Sequence, residues 1–246
     1  PAFSVLLGAA GAAALGVGFL KTSIGGGIGL VLTPALSLVL PVPVAVALLA
    51  PLLNLSDPLT LKLYWRQWDA RQLRILLPTT LAGVVLGLWV LSRLSPFWLE
   101  KTIGAAVLAF AVVQLSLRHR ERPLFGGPPA ASVSAVFGLT AGIASSVAHS
   151  GGIVLGPYLI GLGLGNAAVV ATANAVVAVT NLAKLGGYFT IGFLTGRILL
   201  AAVLALPLLV VGTWLGYRVN RWLPRRWFET ALLALALAGS LRLLAG

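Results

Sequence analysis

Two short polar stretches interrupt an otherwise apolar chain, and both have the composition of an anion site. The first is Lys21-Thr22-Ser23-Ile24-Gly25-Gly26-Gly27. The second is Ser145-Ser146-Val147-Ala148-His149-Ser150-Gly151-Gly152. Each combines hydroxyls with glycine, and each leads into a new apolar run. Glycine lets a backbone turn and approach a ligand closely. A helix starting just after the turn presents unsatisfied N–H groups and the positive end of its dipole. Ser and Thr add donors, Lys21 adds charge, and His149 could add it too. If the two breaks meet, Lys21, Thr22, Ser23, Gly25, Gly26 and Gly27 would face Ser145, Ser146, His149, Ser150, Gly151 and Gly152 around one small anion. The plainer alternative is that the glycines only permit close helix packing.

Further polar residues sit inside apolar runs. Asp57, in Asn54-Leu55-Ser56-Asp57-Pro58, is the one carboxylate so placed. It could pair with Lys21 or Lys62, carry a coupling proton or cation, or cap the cytoplasmic end of its helix. Pro58 is expected to break that helix and free carbonyls near Asp57. Lys21 and Lys184 either serve the site or snorkel to an interface. Thr172, Asn174, Thr180 and Asn181 share one run. Asn174 and Asn181 are two helical turns apart on one face, so they either line a pathway or bond between helices. His149 could titrate near neutral pH or act as a neutral donor to a carbonyl. As a lone histidine it does not suggest a metal. Asp57, His149 and Lys184 are the candidates for coupling.

Elements that position these residues must be membrane helices. The chain has 246 residues, 59% hydrophobic and 9% charged, with a mean hydropathy of +1.02. Soluble domains carry roughly 25% charged residues. A water-soluble globule and a disordered chain are both excluded. The expected class is all-α, a polytopic helical membrane protein of about eight to ten segments. The net charge of +12 would suggest nucleic acid in a soluble protein; here the arginines fall between apolar runs and set orientation instead. There is no Cys, so disulfide and thiolate chemistry are absent. No HExxH, GxSxG or Walker A pattern is present, and Gly25–Gly29 lacks a βαβ setting. The reading is therefore of a non-enzyme without cofactor. A signal-peptide reading of the first run is weak, because no basic stretch precedes it.

The apolar runs form two sets of five. These define a first repeat over residues 1–117, a cytoplasmic linker over 118–130 and a second, inverted repeat over 131–246. Pro78, Gly83, Gly87, Leu94, Trp98 and Glu100 match Pro207, Gly212, Gly216, Leu223, Trp227 and Glu229 at one offset of 129. Basic residues switch loops between the copies. Lys62–Arg74, Arg118–Arg122 and Arg218–Arg226 together hold eleven Lys/Arg, and the opposite side holds four. The positive-inside rule then makes the repeats inverted and places both termini outside. Trp65, Trp68, Trp98, Trp222 and Trp227 flank basic loops as interfacial anchors. The first two runs of each copy are short, and either span or form a re-entrant hairpin. Short, glycine-interrupted segments at matching places in two halves point to a transporter's binding site.

A Gly-rich break followed by a proline, present in two copies, resembles the sulfite exporter TauE/SafE family. The resemblance rests on Gly16-Val17-Gly18-Phe19 through Gly25-Gly26-Gly27 to Pro34. It rests equally on Gly138 through His149-Ser150-Gly151-Gly152 to Pro157, and on Tyr188-Phe189, Gly192, Gly212 and Gly216. It implies a bacterial inner-membrane transporter of sulfite, sulfonates or related organosulfur anions. Its partners would be the small anion, the lipid bilayer and a co-transported proton or cation, with no nucleic acid. The expected mechanism is alternating access, working as an exporter. A passive anion channel and a non-transporting scaffold subunit are the rivals.

Overall fold

A computed structural model describes residues 2–23, 28–117, 125, 129–219, 237–238, 240–241 and 244. Ten helices appear among them: α1 (Phe3–Ser23), α2 (Ile28–Leu36), α3 (Val42–Leu63), α4 (Ala70–Arg93), α5 (Pro96–Leu117), α6 (Ala131–Ala148), α7 (Gly151–Gly161), α8 (Asn166–Thr190), α9 (Gly196–Leu204) and α10 (Leu206–Val219). No strand occurs among the described residues. Most of the expected linker and of the last apolar run, with Trp222 and Trp227, lies outside them.

Among the described residues five helices are long and apolar enough to cross a membrane, and six if α9 and α10 count as one span bent by 50°. The bend falls at Ala205, two residues before Pro207, whose missing N–H and ring obstruct a continuous helix. The chain pattern expects an unbroken run over Ile198–Tyr217. Its match, Pro78, sits inside an unbroken α4, so proline alone does not decide the break. At 9 and 11 residues, α2 and α7 reach about 14 and 17 Å, roughly half of a 30 Å hydrocarbon core.

Helices from the two halves pack in crossed pairs. α1 lies along α10, and α4 lies along α6. Small residues set both seams. A Cβ on Gly83 would strike the Leu139 carbonyl, and one on Gly212 would strike the Leu15 carbonyl. The hydroxyl pattern repeats as well. Thr22 Oγ1 donates to Gly18 O (2.8 Å) and Thr213 O (3.2 Å). Ser146 Oγ donates to Gly142 O (3.1 Å) and Val84 O (3.2 Å). The two halves thus build one seam twice, with the numbering of each pair rising together, so paired helices run parallel.

α3 is the most enclosed helix. Ala45 to Ala50, Leu52 and Leu53 are all buried, with α1, α2, α5, α8 and α9 packed around it. The outer faces of α4 and α10 expose Val85, Leu86, Trp89, Val210, Val211 and Trp214. Bare apolar side chains in that number suit lipid rather than water. Trp65 and Trp98 are exposed, as interfacial anchors require.

Candidate functional site

Lys21 lies in the last turn of α1 with its side chain turned inward, 4% exposed. Its Nζ donates to Asp57 Oδ1 at 2.5 Å, to Ser56 Oγ at 2.8 Å and to Leu53 O at 3.4 Å. This buried pairing replaces the snorkelling alternative. It also settles the partner of Asp57, because Lys62 is exposed. Asp57 is not a helix cap: α3 continues six residues past it to Leu63. The break expected at Pro58 does not occur, and α3 runs through both Pro51 and Pro58. Helices packed on several sides keep it continuous. Just after Pro58, Thr60 Oγ1 donates to the carbonyls of Ser56 and Asp57.

The second carboxylate oxygen of Asp57 accepts from Asn181 Nδ2 on α8 at 2.9 Å. Asn54 Nδ2 donates to the Asn181 carbonyl at 3.0 Å. α3 and α8 are therefore tied together through side chains from each half.

One turn beyond Asn181, Lys184 is fully buried. Its Nζ donates to Ser145 O at 3.0 Å and meets His149 Nδ1 at 3.0 Å. On the far edge of the ring, His149 Nε2 lies 2.9 Å from Val46 O. A carbonyl only accepts, so Nε2 carries the proton and Nδ1 is left to accept from Lys184. The geometry is that of the neutral donor rather than of a charged histidine. Among the described residues no carboxylate lies within ion-pair distance of Lys184; the ion pair there is Lys21–Asp57. Asp57 and Lys21 are nevertheless close enough to act on Lys184 electrostatically.

His149 also ends α6. Its φ of 49° is left-handed, a conformation rare for side-chain-bearing residues. Its amide reaches the Ser145 carbonyl and the Ser150 amide reaches that of Ala144. Tyr188, one turn past Lys184, donates to Ser146 O at 2.5 Å and stands edge-on to the His149 ring. The start of α2 approaches the second break. A Cβ on Gly29, at the start of α2, would overlap the Ala148 carbonyl oxygen and lie 2.7 Å from His149 Cβ.

Lys21, Asp57, Asn181, Lys184, His149 and the Ser145 carbonyl thus form one buried group. Thr22 and Ser146 spend their hydroxyls on the helix seams. Ser150 Oγ donates to Ala148 O at 2.8 Å, and Gly151 packs against Ala141 O and Ser145. Gly152 is half-buried in the first turn of α7. Ser23 is the last residue of α1, and Gly25, Gly26 and Gly27 lie outside the described residues. Asn174 stands two turns before Asn181, buried, with its Nδ2 unpartnered. Thr172 accepts the Asp69 amide at 2.9 Å, and Thr180 Oγ1 donates to Val177 O within α8. Asn54, Ser56 and Tyr188 are site neighbours that the motifs did not single out. The spacing 181, 184, 188 on one apolar helix was the available signal for Tyr188.

A family model described as "Sulfite exporter TauE/SafE" matches residues 10–243, nearly the whole chain. The chain belongs to the TauE/SafE family. Neither the curated proteins nor the solved structures compared with it gave a match. As in any member of a transporter family, its apolar helices make it a multi-pass membrane protein. In this TauE/SafE chain the buried titratable groups come from both halves: Lys21 and Asp57 from the first, His149 and Lys184 from the second.

Proposed function

We propose that the chain is a secondary transporter for a small sulfur-containing anion such as sulfite or a sulfonate, exporting it across the bacterial inner membrane. The observation that carries this reading is Lys184, a fully buried amine bonded to two acceptors and, among the described residues, to no carboxylate. A buried cation of this kind is expensive and calls for a counter-charge. The adjacent α7 begins at Ser150 without a side-chain cap, so its first N–H groups face the same region. Lys21, Lys184, Ser145, Ser150, Gly151, Gly152 and the Gly25–Gly27 turn would hold the anion, with Asn174 and Asn181 along the path. Asp57, His149 and Lys184 would serve coupling.

The two matching seams support halves that are inverted across the bilayer and rock about α3 and α8. Residues 1–117 and 131–246 would be those halves, joined by a cytoplasmic linker, with both termini outside. An inside-negative potential drives a monoanion outward by roughly 2.3 kcal/mol per 100 mV, which favours export.

The test is flux of sulfite, thiosulfate and methanesulfonate into proteoliposomes, with Lys184→Met compared with Lys101→Met. Lys101 donates to Leu244 O away from the site. Loss of one charge-assisted bond, about 1.5–3 kcal/mol, should weaken apparent affinity at least tenfold in the first variant and little in the second. Equal effects would refute the placement. Non-saturable flux without counterflow would make the protein a channel, and no flux at all would favour a scaffold subunit.

A further inference from the structure

We infer that Asp57 sets the charge class of the cargo: the site takes a monoanion as it stands and a dianion only together with one proton, which resides on Asp57. This rests on the anion-transport reading above. The argument is charge balance in a buried space. Lys21, Lys184 and Asp57 are buried together, and His149 is held as a neutral donor to Val46 O. With both lysines as ammonium groups, the set carries one net positive charge. A monoanion neutralises it. A dianion overshoots by one, and an uncompensated charge far from water is costly.

Asp57 is the group able to absorb the difference. Each of its oxygens has one partner, Lys21 Nζ and Asn181 Nδ2. When Lys21 turns toward a dianion, Oδ1 is released and can accept a proton from the open side. The neutral carboxyl keeps the Asn181 bond. The other nearby group whose proton could change is Lys184, and uptake there would raise affinity for both charge classes alike. α1 and α8 contribute Lys21, Lys184 and Tyr188. α2 has no titratable residue. α5 carries Glu100 and Lys101 in its second turn, half-buried, while Arg197 on α9 and Arg218 on α10 are exposed. Tyr188 already donates to Ser146 O.

The experiment is anion binding to the purified protein across about two pH units around neutrality, with proton uptake followed in weak buffer. Methanesulfonate and nitrate serve as monoanions, thiosulfate and selenate as dianions. Sulfite is avoided because it titrates near neutrality. Expected for the wild type is flat monoanion affinity and dianion affinity that rises about tenfold per unit fall in pH, the slope of one linked proton. Asp57→Asn should bind dianions without pH dependence or proton uptake and should favour them over monoanions at high pH. Should that variant fold poorly, Lys21→Met/Asp57→Asn leaves one ammonium and should favour monoanions at every pH.

A dianion slope retained in either variant overturns the inference. So does an equal slope for both charge classes in the wild type. If nitrate and selenate show the valence pattern while the sulfur anions do not bind, the inference stands and the sulfur reading falls. If the sulfur anions bind without the pattern, the reverse holds. Absence of binding by any anion to wild type and variants refutes both.

Discussion

Gly29 packs directly against the turn at His149, and Gly29→Ala measures how tightly that contact is set. The new methyl would overlap the Ala148 carbonyl oxygen and stand 2.7 Å from the carbonyl carbon and the Cβ of His149. To reach ordinary contact at 3.4 Å, the methyl must clear His149 by about 0.7 Å and the Ala148 carbonyl oxygen by more than twice that. If His149 makes that move, its bonds to Val46 O and Lys184, now 2.9 and 3.0 Å, stretch to roughly 3.6–3.7 Å, beyond hydrogen bonding. Two bonds at about 0.5–1.5 kcal/mol each give a loss of about 1–3 kcal/mol. Overpacking of a well-filled interior costs about the same. The assays are thermal unfolding in detergent and anion flux in proteoliposomes. Gly156→Ala and Gly186→Ala are the controls, since a Cβ there meets nothing within 4 Å and each should be neutral or stabilising by up to about 1 kcal/mol. Gly29→Ala should melt several degrees below both and transport poorly. A variant with the controls' melting temperature and wild-type flux would refute the claim that α2 is packed tightly on the turn at His149.

Lys21→Met leaves Asp57 buried beside Asn181 alone and should destabilise the protein by about 3–5 kcal/mol. Lys21→Met/Asp57→Asn should recover most of that, and a double-mutant cycle of melting temperatures with no recovery would deny the pair. His149→Asn keeps a side chain that tolerates left-handed backbone, whereas His149→Val does not. The valine variant should therefore melt lower, although both lose the bond to Lys184; equal melting would show that the φ of 49° costs nothing. Tyr158→Phe removes a hydroxyl placed 2.9 Å from Gln72 Oε1 and 2.6 Å from Ser134 Oγ. It should cost about 1–3 kcal/mol by stranding two buried groups, and adding Ser134→Ala should return part of that stability in the same melting assay.

Composition alone determined the class. With 9% charged residues the chain has no polar surface to offer water, so its helices had to be buried in lipid or in each other. Local signals also placed the break at His149–Ser150, where the glycines that follow allow the chain to turn, and the short lengths of α2 and α7. The list of buried polar residues was legible for the same reason: Lys21, Asp57, Asn181 and Lys184 each stand out against apolar neighbours.

Their partners were not legible, because pairing depends on which helices lie side by side. Lys21 meets Asp57 across 36 positions, and Asp57 meets Asn181 across 124. Nothing local distinguishes Thr22 and Ser146, which bind the helix seams, from Ser145, which serves Lys184 through its backbone carbonyl. Pro58 reads as a break and is not one, since the helices packed around α3 keep it continuous. Pro207 and Pro78 read alike, yet the helix is interrupted near the first and continuous through the second. The sequence determines which groups must find partners away from water. The tertiary structure decides which partners they find, because in a membrane interior an unmatched charge costs more than any local preference of the chain.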